Sequence, residues 1–152
     1  MVTTEQIKAL REKTGISIAQ CKQALEEASG DMDQALAILR NKGGAIADKK
    51  SDRTLGAGLV RAYIHSSGDM GALVEIHSET DFVAKNDGLK MLAEDIAMQV
   101  AAVNPANIEE LLAQPFIKDP SLTVADLIKD HIQKFGERIE IAKIVRFDAS
   151  SM

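Results

Sequence analysis

Across residues 1–44, apolar positions recur every three or four residues in three short runs, the spacing of helices that bury one face. Ile7 and Leu10 mark the first run, preceded by Thr3 and Gln6 in the order of a capping box. Thr14-Gly15 breaks it. Ser17 and Gln20 repeat the cap signature ahead of Ile18, Cys21, Ala24, Leu25 and Ala28. Ser29-Gly30 ends that helix, Asp31 caps a third, and Ala35, Leu36, Ile38 and Leu39 supply its face. Asn41-Lys42-Gly43-Gly44 reads as its stop. The charged stretch from Ala45 to Gly56 reads as a linker, or a short helix leading into one. Three helices in so few residues bury only a small core, the scale of a docking module.

A different pattern follows. Gly58–Ile64 and Ala72–Ile76 are strand-like, and Ser66-Ser67-Gly68-Asp69 between them predicts a hairpin. Leu89, Leu92, Ala93, Ile96, Val100 and Val103 mark one face of a long helix ended by Asn104-Pro105. A short helix from Ile108 to Ala113 stops at Gln114-Pro115, and an amphipathic helix from Thr123 to Lys134 stops at Gly136. Ile139, Ile141, Val145 and Phe147 alternate in a final strand interrupted by Lys143. The expected class is α+β: a three-helix domain at 1–44, a linker at 45–56, and a core at 57–152 with a three-stranded antiparallel sheet packed with helices. So thin a sheet has edges to cover or pair. On that ground alone, monomer and self-associated forms both stay open.

Composition narrows the function classes. With 45% hydrophobic and 27% charged residues the chain is ordinary soluble globular material. A net charge of -5 argues against direct nucleic-acid binding, which needs a clustered positive surface. The single cysteine, Cys21, cannot form an internal disulfide, which fits a reducing compartment. The N-terminus is polar, without a signal-peptide core, and no apolar run reaches membrane-spanning length. The expectation is a cytoplasmic protein with no membrane partner. His65 and His77 lack further patterned ligands and make a weak metal pair. His77, Ser78 and Asp81 include the residue types of a hydrolytic triad, but near-sequential placement rarely gives triad geometry. No phosphate-cradling fingerprint surrounds Gly56-Ala57-Gly58 or Gly43-Gly44. No catalytic residue, metal or cofactor is expected.

The most informative stretch is Thr80-Asp81-Phe82-Val83-Ala84-Lys85, where strand alternation stops and helical spacing begins. Only four phenylalanines and one tyrosine occur in 152 residues, so Phe82 at a junction is either a core plug or a side chain offered to a partner. Periodicity alone favours the plug. Asp81 could equally be a plain turn or cap residue. Lys8 and Arg11, three apart, share one face of the first helix; a solvated surface is their simplest reading.

Three segments together resemble the elongation factor Ts family: Ile7–Gly15 with Cys21-Lys22-Gln23-Ala24-Leu25 and Gly30–Ala35; Thr80–Asn86; and Phe135–Ile141 with Arg146-Phe147. Their order covers nearly the whole chain. The resemblance implies a ubiquitin-associated-like helical domain, then a dimerisation-type core, in a guanine-nucleotide exchange factor for elongation factor Tu. It implies partner contacts at Asp81 and Phe82, with Thr80 and Val83 in the same turn, and at Lys8, Arg11, Ile18 and Ala19. Phe82 would act as a wedge that disrupts the partner's magnesium and phosphate contacts. The chain has room for one core half where longer members carry two, so the resemblance also implies a homodimer. It departs from the family at His77-Ser78, where Asn-Cys is common, and at Ser17-Ile18-Ala19, where Gly-Met-Met is common. Ile18 still offers an apolar contact; Ala19 reaches less far. An adaptor without exchange activity, using the helical domain alone, and a small hydrolase are the competing readings.

Overall fold

Three helices open the chain: α1 (Thr4–Thr14), α2 (Ile18–Glu27) and α3 (Met32–Lys49). The structure is a computed structural model and describes residues 1–49 and 51–150. Thr3 accepts from the Gln6 backbone at 3.2 Å while the Gln6 side chain accepts from the Thr3 N–H at 2.9 Å, so the expected capping box forms. Gly15 ends α1 at φ 71°, a left-handed conformation that glycine adopts without a Cβ penalty. Ser17 and Asp31 cap the next two helices. Leu10, Ile16, Cys21, Ala24, Leu25, Ala35 and Leu39 interlock as the buried core of these helices.

Burial pushes the Cys21 thiol above its ordinary pKa, against smaller lowering effects from the Thr14 hydrogen bond and the Arg11 charge. The folded chain therefore holds a proton that the unfolded chain releases more readily. The stability this contributes is intact below the ordinary thiol value and is lost as pH rises through the raised one. At mildly alkaline pH, iodoacetamide is expected to label Cys21 slowly in native protein and quickly in denaturant; equal rates would contradict the burial.

The remaining elements are β1 (Ala57–Ile64), β2 (Met70–Ser78), α4 (Asp81–Ala84), α5 (Asp87–Val103), α6 (Ile108–Ala113), β3 (Pro115–Phe116), β4 (Asp119–Thr123), α7 (Val124–Phe135) and β5 (Ile139–Asp148). The chain divides into two units, Met1–Asp52 with Lys129–Gly136, and Arg53–Ile128 with Glu137–Met152. Helix α3 does not stop at Asn41–Gly44, as the glycines suggest, but runs on to Lys49. Gly43 explains why: a Cβ there would meet the Lys129 carbonyl at 2.9 Å. Its bare backbone admits the neighbouring helix, which offsets a propensity loss of about 1 kcal/mol.

In the second unit the sheet has strand order β1-β2-β5, antiparallel throughout. Val74 and Ile76 of β2 are buried, as are Leu89, Leu92, Ala93, Ile96 and Val100 of α5, the stripe expected from its spacing except for Val103, which is exposed at the last position of the helix. The fold is thus α+β as the pattern predicts, with two differences. A two-stranded hairpin, β3–β4, lies in the stretch between the two helices to which the pattern assigns no element. Pro115 and Pro120 disguise it, and it is held by Gln99: this fully buried amide donates to the Pro115 carbonyl and accepts from the Ile117 N–H, both at 2.9 Å. The second difference is a bulge in β5. Lys143 pairs with Glu75, but Ile76 pairs with Ile141, leaving Ala142 as the extra residue. The bulge shifts the alternation by one place. Ile139 and Ile141 face the core, whereas Lys143, Val145 and Phe147 share the opposite face with Glu75, Leu73 and Gly71. Val60, Ile64, Leu73 and Phe147 are all exposed, and Val60, Leu73 and Val145 line a shallow groove there.

Candidate functional site

Strand β2 ends at Ser78, and two residues later the chain turns into α4. Thr80 caps this single turn, its hydroxyl accepting weakly from the Val83 N–H at 3.4 Å. Asn86 caps α5 directly afterwards, accepting from Gly88 at 2.7 Å. Between the two caps, Val83 and Ala84 are buried and seat the turn on the core, while Phe82 is 83% exposed. Four residues thus divide inward and outward by helical geometry: two seat the turn and Asp81 and Phe82 are left outside. Asp81, Phe82, Lys85, Asn86 and Asp87 line an open depression. Val83, expected among the contact residues, is a correction: its burial makes it an anchor. The core-plug reading of Phe82 is likewise excluded.

The loop before the turn is tied down from a distant part of the chain. Glu137 accepts from both the Thr80 N–H, at 3.0 Å, and the Thr80 hydroxyl, at 2.7 Å. Glu79 in turn accepts from the Arg138 N–H at 2.7 Å and from the Arg53 guanidinium at 3.2 Å. Arg138 donates to the Arg53 carbonyl at 2.6 Å. Ser78, fully buried, donates to the Thr80 carbonyl at 3.0 Å. Periodicity flagged none of these partners; an acid two residues from the opening of a strand carries no pattern of its own.

In the helical unit, Lys8 and Arg11 are exposed and line a shallow depression with Glu12 and Gly15. Ile18 is 56% exposed at the first position of α2, with Ala19 exposed beside it. The expected contact residues therefore form two surface groups, one in each unit.

His77 and Ser78, two residue types of the weighed triad, do not converge. His77 bonds to Glu75 at 3.0 Å, whereas Ser78 points the other way along β2 and bonds to Thr80. Alternation separates the two triad candidates onto opposite faces of the sheet. Among the described residues no group of three or more His, Cys, Asp or Glu is placed to hold a metal, and no helix is long and apolar enough to cross a membrane.

The fold presents an acid and an aromatic from a braced turn. Residues 79–152 match the family model described as Elongation factor TS. An elongation factor Ts of Carboxydothermus hydrogenoformans is 43% identical, the match covering 97% of this chain and 89% of that protein. One of Synechocystis is 39% identical over 97% of this chain and 88% of its own length. One of Trichlorobacter lovleyi is 49% identical over 97% of this chain but only 48% of its own length. The chain belongs to the elongation factor Ts family and is a translation elongation factor by that membership. The first alignment runs over 193 residues, more than the chain's 152, so that relative carries residues inside the matched stretch without a counterpart here.

Proposed function

We propose that this chain is a guanine-nucleotide exchange factor that binds elongation factor Tu in its GDP form and speeds GDP release. The observation that carries this is Phe82, 83% exposed on a turn whose neighbours are buried and hydrogen-bonded. Of only five aromatic residues, Phe82 is the most exposed, more so than Phe147 on the outer sheet face, and it stands where a partner can cover it. Asp81 beside it supplies a carboxylate that competes for hydrogen bonds around a hard cation's ligands. Together they favour a GTPase conformation whose magnesium and phosphate contacts are broken. Lys8, Arg11 and Ile18 dock the helical unit on the same partner. No covalent step is involved, and the factor itself binds no nucleotide.

Exchange of this kind is reciprocal: if the factor weakens GDP binding, GDP weakens factor binding by the same ratio. Adding GDP to the isolated complex with elongation factor Tu is expected to dissociate it. Equal affinity of the factor for nucleotide-free and GDP-loaded partner would refute the mechanism.

The same reading includes a homodimer. The outer sheet face offers Val60, Ile64, Leu73 and Phe147 exposed together, a patch of the kind that marks an interaction surface. Glu75 and Lys143 stand opposite each other across β2 and β5 on that face, so a two-fold copy meets both charge signs.

A further inference from the structure

The exposed turn raises a question of stiffness. A four-residue helix has no stability of its own, yet a side chain that must enter a partner in one orientation cannot hang from a mobile loop. Two buried residues, Val83 and Ala84, seat the turn from below. Its entrance at Thr80 is exposed and lies beyond the last ladder pair of β2, Ser78 with Ile139.

We propose that Glu137 is a positioning residue for exchange, fixing the entrance of the Asp81-Phe82 turn; this rests on the exchange reading above. The geometry is a reciprocal exchange of carboxylates between two loops. Glu137 holds the backbone and hydroxyl of Thr80, and Glu79, the residue before Thr80, holds the backbone N–H of Arg138, the residue after Glu137. Each loop gives one acid and receives one, so neither end moves without breaking charge-assisted bonds on both sides. Arg53 and Arg138 close the set, each donating into it from a different segment. The Thr80 hydroxyl does two jobs at once, donating to Glu137 and accepting from Val83. Fixing its rotamer through Glu137 therefore fixes the first turn of α4. The link joins residues 57 apart in sequence, which makes the wedge's aim depend on where β5 begins.

The test measures stimulated release of fluorescent GDP from elongation factor Tu against factor concentration, for the full chain and its variants. Glu137→Ala is expected to lower the maximal rate about tenfold and to leave the half-saturating concentration nearly unchanged, because orientation is lost and docking is kept. Glu137→Gln retains an acceptor for the Thr80 N–H and can donate to the hydroxyl, so it should restore most of the rate. Combining Glu137→Ala with Phe82→Ala should cost little beyond Phe82→Ala alone. Thr80→Val, which keeps the backbone bond and removes the hydroxyl, gives an intermediate loss and stands in should the alanine variant fold poorly. A normal maximal rate in Glu137→Ala, or a loss that adds fully to that of Phe82→Ala, overturns the proposal while leaving the exchange reading standing. A wild-type rate in Phe82→Ala itself would overturn both.

Discussion

Phe82→Ala is expected to remove most of the stimulated GDP release while leaving the fold as stable as before. At 83% exposure the ring contributes almost nothing to this chain's own core, so truncating it leaves no cavity. Its apolar surface becomes useful only when a partner covers it. Burying a phenyl side chain is worth about 1.5–3 kcal/mol, which corresponds to a rate or affinity change of roughly tenfold to a hundredfold. Stopped-flow release of fluorescent GDP from elongation factor Tu, run beside a thermal melt, separates the two quantities. Unchanged release would sink the wedge. A lowered melting temperature would show instead that the ring supports the fold.

The second large effect is expected at the other face of the same unit. Leu73→Glu places a carboxylate in the middle of the outer sheet surface, opposite Val145 and next to Val60 in the shallow groove. Leu73 is 39% exposed in the single chain, so the free fold tolerates a charge there. A dimer that buries it does not: an unpaired buried charge costs about 3–5 kcal/mol, on the order of a hundredfold or more in dissociation constant. Sedimentation velocity across concentration should show wild-type dimer where the variant is monomeric. Wild type that stays monomeric at every concentration would remove the dimer from the proposal, and a variant that still pairs would move the contact elsewhere.

How much of this could be read from the residues differs by element. The β1–β2 hairpin and α5 were legible because each has one dry face, and burial of one face writes a period into the sequence. The junction at Thr80 was legible because the period changes there. Whether Phe82 points in or out was not, since one turn is too short to have a period; burial of its neighbours Val83 and Ala84 decides it. The run of α3 past Gly43 was hidden because the glycine answers to a partner segment far along the chain and not to local conformation. The β3–β4 hairpin was hidden by its prolines and by a stabilising amide, Gln99, that sits on a different element. Glu137 lies in the Phe135–Ile141 segment that carries the family resemblance, but its bracing role was hidden for the same kind of reason: a carboxylate that satisfies a distant backbone looks, in sequence, like any surface acid.

Ala142 sits at the point where a single inserted residue rotates the rest of β5. Were Ala142 drawn into the ladder opposite Glu75, with no bulge, the two-residue rhythm from Ile139 would run unbroken to Phe147 and everything after it would be inverted. Val145 and Phe147 would then crowd inward against α5, and Arg146, whose guanidinium now caps the Ala101 carbonyl at 2.9 Å, would be turned to water. One small side chain of no chemical interest thereby settles which half of a strand a molecule keeps private and which half it turns outward.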